Sequence, residues 1–253
     1  MGKLSEKVAL VTGSSQGIGR AIALVLAREG ALVLVHGRQA SAQAAEVVRE
    51  IEAGGGAAAA VFADLQGDDG PTELLQQTDA ILAQRRSDTG LDILVNNAGV
   101  VRRETIECVT HAEFDRTIAV NLRAPFFLIQ QSLARLRDGG RIINISSMGA
   151  RAAFPSMAAY APAKAGIEAL TRLLAVQLGS RGITVNAVSP GLTDTAMNRV
   201  KPGTPAAEQV IATIALGRIG QPADIADVVG FVASDDARWI TGQCIEVSGG
   251  QSL

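Results

Sequence analysis

Cysteine is scarce in this chain: Cys108 and Cys244 are the only two in 253 residues. That excludes the disulfide framework of a small secreted domain. The two histidines, His36 and His111, do not fall with cysteines or carboxylates at metal-ligand spacing, so no metal centre is expected. No apolar run reaches the roughly 18 residues that a membrane span needs. The formal charge is only −2, which gives no basic footprint for nucleic acid or for an anionic membrane surface. The first residues, Met1 to Lys7, carry no secretory pattern and lead directly into an apolar run. A cytoplasmic protein is expected. Aromatics make up 3% of residues, and Tyr160 is the only tyrosine.

Apolar residues, by contrast, reach 47%, enough to bury one large core. No linker, internal repeat or low-complexity tract divides the chain, so residues 1–253 are expected to form a single domain. Val8-Ala9-Leu10-Val11 suits a strand buried on both faces. Thr12-Gly13-Ser14-Ser15-Gln16-Gly17-Ile18-Gly19 follows at once, and Ile18, Ile22, Val25 and Leu26 then recur at helical spacing up to Gly30. Strand, glycine turn and helix in this order make a phosphate site, because free N–H groups and the helix dipole face an anion. Gly13, Ser15, Gln16, Gly17, Ile18 and Gly19 are therefore candidates for binding a dinucleotide.

Leu32-Val33-Leu34-Val35 gives a second strand, ending at His36-Gly37-Arg38. A fold that prefers NAD usually places an acid here for the ribose hydroxyl, whereas an arginine accommodates the 2′-phosphate of NADP. No acid is present, and Arg38 offers a planar phosphate-binding fork. NADP(H) is expected, with NAD(H) the alternative. A helix over about 41–53 stops at Gly54, and a strand Ala59–Phe62 brings Asp64 and Leu65 to its carboxyl end, where an adenine would lie. A helix is expected over about 68–86, then a strand Leu91–Val95 ending in Asn96-Asn97-Ala98-Gly99. Taken locally, those amides read as a turn.

Phe114, Ile118, Leu122, Phe126 and Ile129 predict one helix over about 111–136. Pro125 inside it has no N–H, so the Asn121 carbonyl loses its helical partner and a kink is expected. Arg141–Ile145 reads as a fifth strand, followed by Ser146-Ser147, and Ile183–Val188 and Thr241–Val247 as the sixth and seventh. The β-α-β-α order implies a doubly wound α/β fold, a parallel seven-stranded sheet with helices on both faces. Tyr160 and Lys164 lie four apart, on one face of a helix. Pro162 is comfortable only in a first helical turn, so that helix is expected to start near Ala159, not at the tempting cap Ser156, and to run to about Gly179. Pro205–Ala215 and Pro222–Ala233 complete the expected helices.

Thr12-Gly13-x-x-x-Gly17-Ile18-Gly19, Asn96-Asn97-Ala98-Gly99, Asn121, Ser147, Tyr160-x-x-x-Lys164 and Pro190-Gly191 stand in order along the chain. In this set the sequence resembles a short-chain dehydrogenase/reductase over nearly its whole length, with a Rossmann fold. The resemblance implies that Tyr160 is the general acid in ketone reduction and the base in alcohol oxidation. It implies that Ser147 holds the carbonyl oxygen, and that Lys164 lowers the phenol pKa and binds ribose hydroxyls. Asn121 would hold a water through its main-chain carbonyl. Ser146 reads as a structural serine beside Ser147. Cofactor contacts are also implied for Asn97, Ala98, Gly99, Tyr160, Lys164, Pro190, Gly191, Thr193 and Thr195, with Val188 near the carboxamide. Residues 192–218 would form a substrate lid, and the two long helices would pair subunits into a homotetramer, a dimer of dimers.

The function expected is an NADPH-dependent carbonyl reductase or alcohol dehydrogenase acting on a small-molecule carbonyl or alcohol. One alternative is a 3-oxoacyl-acyl-carrier-protein reductase of fatty-acid synthesis, whose basic residues meet the acidic carrier. Here the corresponding places hold Arg137 followed by Asp138, and Arg181, so the basic pair is half present. An NAD-dependent alcohol dehydrogenase is opposed by Arg38. An enoyl reductase would space its Tyr and Lys further apart, and a dinucleotide-sensing regulator would often lack one of them.

Overall fold

The computed structural model describes residues 2–85, 88–198 and 203–252, the side chain of Ala206 excepted. The strands are Val8–Val11 (β1), Leu32–Gly37 (β2), Ala57–Phe62 (β3), Leu91–Asn96 (β4), Leu136–Ile145 (β5), Thr184–Pro190 (β6) and Cys244–Val247 (β7). They form one sheet in the order β3-β2-β1-β4-β5-β6-β7, and every pairing is parallel. The chain starts at the sheet's centre, builds to one edge through β2 and β3, then crosses back to β4 and builds to the other. That reversal between β1 and β4 opens a crevice at the strands' carboxyl ends.

Alternation along the buried strands divides the core in two. Ala9, Val11, Val33 and Val35 face the helices Gly17–Arg28 (α1), Ala42–Ala53 (α2) and Pro222–Ala233 (α8), meeting Ile22, Leu26, Val47, Ile51, Ile225 and Val229. Val8, Leu10, Leu34 and Leu94 face the other way, toward Leu74 and Leu82 of Gly70–Arg85 (α3), Leu128 of Ala124–Ser132 (α5) and Leu174 and Leu178 of Tyr160–Leu178 (α6). Covering both faces is what lets a parallel sheet carry such continuous apolar runs.

The helix expected over 111–136 is differently built. His111–Ile118 (α4) passes into a π-helical turn, Ala119–Arg123, before α5. There the Ala124 N–H donates to the Ala119 carbonyl, five residues back. Pro125 cannot donate, and the wider turn accommodates its ring. α5 stops at Ser132, whose Oγ donates to the Leu128 carbonyl at 2.6 Å. β5 then begins at Leu136, earlier than the expected Arg141. Gly139 and Gly140 look like a turn in sequence, but they are absorbed as a register shift: Leu91 pairs with Leu136, and the ladder resumes at Ile93 and Arg141.

α6 starts at Tyr160, preceded by Ala159. Pro162 is thus its third residue, where the missing N–H has no intrahelical partner to lose. The expected helix at 205–215 is Pro205–Ile211 (α7), capped by Thr204, whose side chain accepts from Ala207 N. Within the expected lid, residues 199–202 lie outside the described residues, as does residue 86 of the expected 68–86 helix. The last strand begins at Cys244, not Thr241.

Candidate active site

A cleft of about 770 Å³ opens at the carboxyl ends of the central strands. Its first wall is the glycine turn. The Thr12 hydroxyl accepts from Asn97 N at 2.9 Å and Ala98 N at 3.0 Å, tying the end of β4 to the end of β1. Asn97 Nδ2 donates to the carbonyls of Thr12 and Gly13 at 2.9 and 3.0 Å. A side chain at Gly19 would sit 2.3 Å from the Gly13 carbonyl oxygen, so only glycine lets α1 come this close to the loop. No side chain caps α1 at Gln16, which leaves the first-turn N–H groups facing the cleft. Such an end holds phosphate.

His36 supplies a support that sequence alone did not reveal. Its ring is buried; Nδ1 accepts from Gly13 N at 2.9 Å, and Nε2 lies 3.0 Å from the Ala63 carbonyl. This requires a neutral ring with its proton on Nε2. Burial accordingly pushes its pKa below the usual histidine value. Next to it, Arg38 is exposed on the cleft wall and has no ion-pair partner among the described residues. Asp64 and Leu65 line the same end, and Asp64 Oδ1 accepts from Gln66 N at 3.0 Å. These residues fit a dinucleotide: glycine turn and helix end for its diphosphate, Arg38 for a 2′-phosphate, Asp64 beside the base.

At the other end the chemistry gathers. Ser147 and Tyr160 both line the cleft, with the serine hydroxyl close enough to act on the phenol. Lys164, one turn beyond Tyr160, is buried; its Nζ donates to the Ile145 carbonyl at 2.7 Å and lies 5.6 Å from the centre of the phenol ring. Burial pushes the Tyr160 phenol up to about 12, against the pull of the Ser147 hydroxyl and of the Arg103 charge. Burial also brings Lys164 down to about 8. The depressed phenol that the family resemblance implied is therefore corrected. Lys164 directs its ammonium at a carbonyl of β5, and desolvation dominates at the hydroxyl.

Ser146 is structural, as expected, and its partner is Glu168. Glu168 Oε1 accepts from Ser146 Oγ and from Ser189 Oγ, each at 3.0 Å, fastening the ends of β5 and β6 to α6. Pro190, Gly191, Thr193 and Thr195 line the cleft beyond β6. Thr195 approaches the glycine turn from across it, its Cγ2 being 3.5 Å from where a Gly17 Cβ would stand. Val188 does not line the cleft: it faces the core inside β6, and its carbonyl accepts from Ser146 N. Asn121 also lies behind the wall. Its amide donates to the Val100 and Thr117 carbonyls, and Val100 N donates to its Oδ1. A Cβ at Gly99 would stand 2.8 Å from that Oδ1, so the amide fixes the loop in front of Lys164.

A phosphate cradle joined to a half-buried phenol and serine and a buried lysine defines a dinucleotide-dependent oxidoreductase. Residues 13–252 match the family model described as enoyl-(acyl carrier protein) reductase. The chain is 42% identical over 252 residues to an uncharacterized oxidoreductase of Methylorubrum extorquens, covering 99% of each. It is 41% identical over 254 residues to the 3-oxoacyl-acyl-carrier-protein reductase FabG of Staphylococcus aureus, covering 98% of each. Among solved structures, it matches the angucycline C-6 ketoreductase LanV with bound NADP at a TM-score of 0.95 and 46% identity, over 100% of this chain and 98% of that one. The chain belongs to the short-chain dehydrogenase/reductase family, acting on carbonyl and hydroxyl groups.

Among the described residues, no group of three or more His, Cys, Asp or Glu side chains could hold a metal ion, and no helix is long and apolar enough to cross a membrane.

Proposed function

We propose that the protein is an NADPH-dependent ketone reductase in which Tyr160 delivers the proton. The observation that carries this is the placement of Ser147 and Tyr160 together on the cleft wall beside buried Lys164. NADPH bound along the glycine turn supplies the hydride. Ser147 and Tyr160 donate to the carbonyl oxygen, and the raised phenol is protonated throughout the neutral range, the form an acid needs. Lys164 holds ribose hydroxyls and restores the proton, with the Asn121 carbonyl holding the water that reaches it. Arg38 takes the 2′-phosphate. LanV, with its bound NADP, supports the cofactor.

The fold forms one domain over 1–253, with residues 192–218 as a lid. In the cell it is a cytoplasmic homotetramer. Exposed Phe114, Phe126, Phe127, Leu173 and Val176 on α4, α5 and α6 support subunit pairing there; light scattering in solution should give four chains.

The carrier-protein alternative is disfavoured by both arginines. Arg137 Nη1 donates to Asp92 at 2.5 Å and its Nη2 pairs with Asp88. Arg181 pairs with Asp138 at 2.8 Å and donates to the Leu133 and Leu136 carbonyls. Both act within the fold.

Tyr160→Phe tests the assignment. Consumption of NADPH with a panel of ketones should vanish while NADPH binding persists. Retained turnover would overturn it.

A further inference from the structure

Arg103 and Arg116 line the cleft, and Arg102 precedes the first of them in the chain. Arg102 pairs with Glu104 at 2.7 Å, and Arg116 with Glu113 at 3.2 Å. Arg103 lines the cleft and has no carboxylate partner among the described residues. Its Nη2 donates to Asn198 Oδ1 at 3.3 Å, and Asn198 Nδ2 in turn donates to the Thr193 carbonyl at 3.0 Å. The guanidinium thus spans from the loop after β4 to the loop after β6, across the cleft mouth. Its own loop is held against the catalytic segment: Glu104 bridges Met157 in parallel fashion, and Ala158 N donates to the Glu104 carbonyl at 3.4 Å. Arg103 is close enough for its charge to act on the phenol of Tyr160.

Val101, Phe154, Met157, Met197 and Val210 give the cleft apolar surface beside its polar groups. Among the described residues, the only acid lining the cleft is Asp64, at the adenine end. An unneutralised cation above apolar walls recognises a molecule with a hydrophobic frame and a negative oxygen.

We propose that Arg103 determines specificity by receiving an anionic oxygen on the substrate. The preferred substrate is then a hydrophobic ketone carrying an ionised phenol, enol or carboxylate beside its reducible carbonyl. This rests on the ketone-reductase assignment and names the substrate class for the same site. A planar fork suits a carboxylate in two-point contact and a phenolate or enolate in one.

The test compares tetralone with tetralone carboxylate, and with a nitro-activated hydroxytetralone that is ionised at neutral pH. Each is given to the wild type, Arg103→Gln, Arg103→Lys and Arg103→Glu, after NADPH binding has confirmed that the variants fold. The wild type should favour the anionic ketones in kcat/KM. Arg103→Gln should lower the anionic-to-neutral ratio by about ten- to a hundredfold, the range of a charge-assisted hydrogen bond. Arg103→Lys should restore part of the ratio, and Arg103→Glu should invert it. A gain on the carboxylate alone assigns the source to carboxylates, and a gain on the phenolate alone to phenols or enols. A wild-type ratio of one, or a ratio that Arg103→Gln leaves in place, overturns the proposal.

If the wild type reduces none of these ketones, the reductase assignment fails there, and binding decides the anion site separately. Naphthoate should then bind the NADPH-loaded protein more tightly than its methyl ester, and Arg103→Gln should abolish the difference. Equal binding of acid and ester overturns the proposal.

Discussion

Lys164 Nζ donates to the Ile145 carbonyl at 2.7 Å, so the ammonium is anchored to the last residue of β5, just before Ser146. With its pKa lowered to about 8 by burial, Lys164 is charged at neutral pH and loses that charge just above it. Tyr160, raised to about 12, does not titrate in the same interval. Ketone reduction should therefore fall along an alkaline limb with an apparent pKa near 8. In Lys164→Arg the charge persists, and whatever activity remains should lose that limb. A pH–rate profile of the two proteins checks this; an unmoved limb in the variant would assign it to another group.

Arg38 has no competing ion pair among the described residues, so its removal should act on the cofactor alone. Arg38→Asp should lower the NADPH-to-NADH affinity ratio by at least about tenfold, the weakest expectation for a lost charge-assisted contact. Fluorescence titration with both cofactors measures it. An unchanged ratio would mean that the 2′-phosphate is held elsewhere.

His36 links the glycine turn to pH. The folded ring is neutral with a lowered pKa, while the unfolded ring titrates at its ordinary 6.5. The stability it contributes is complete above 6.5 and is lost as the pH falls below that value, because the unfolded chain then binds the proton that the folded one refuses. His36→Phe leaves Gly13 N without its acceptor and should cost about 1–3 kcal/mol at neutral pH. Urea unfolding at about pH 7.5 and about pH 5.5 should show the gap between wild type and variant narrowing in acid.

Glu168 holds two hydroxyls on one oxygen. Glu168→Ala should destabilise the fold by about 1–3 kcal/mol, since both buried donors are stranded. Ser146→Ala should cost less, because Glu168 keeps Ser189. The double variant should be little worse than Glu168→Ala alone, the non-additivity of groups that share a partner. Denaturant titration of the three proteins measures it, and full additivity would show that the residues act separately.

The sheet was legible because buried parallel strands write themselves as apolar runs: Val8–Val11 appears as expected to the residue, as does the helix Pro222–Ala233. The proposed catalytic set stood out because its members fall at the fixed spacings of the family. What escaped notice depends on neighbours remote in sequence. His36 resembled an ordinary strand-end residue until the fold put Gly13 against its ring, 23 positions away. Glu168 carries no motif of its own, yet it is 6% exposed and faces two strand ends. The β5 boundary was misplaced because a Gly-Gly pair reads locally as a turn, whereas the neighbouring strand absorbs it as a bulge. Arg103 gave no signal beside Arg102; only the partners of each separate them.

Pro162 sets where α6 begins, and the register of Tyr160 against Lys164 follows from that start, not from the length of chain before it. The twelve residues between Ser147 and Tyr160 include Phe154 and Met157 of the apolar wall. An insertion or deletion near Phe154 would redraw the contour that meets the substrate while the helix still begins at the same proline. Substrate scope and proton delivery can thus diverge independently, and a library confined to this connection would vary the first while sparing the second.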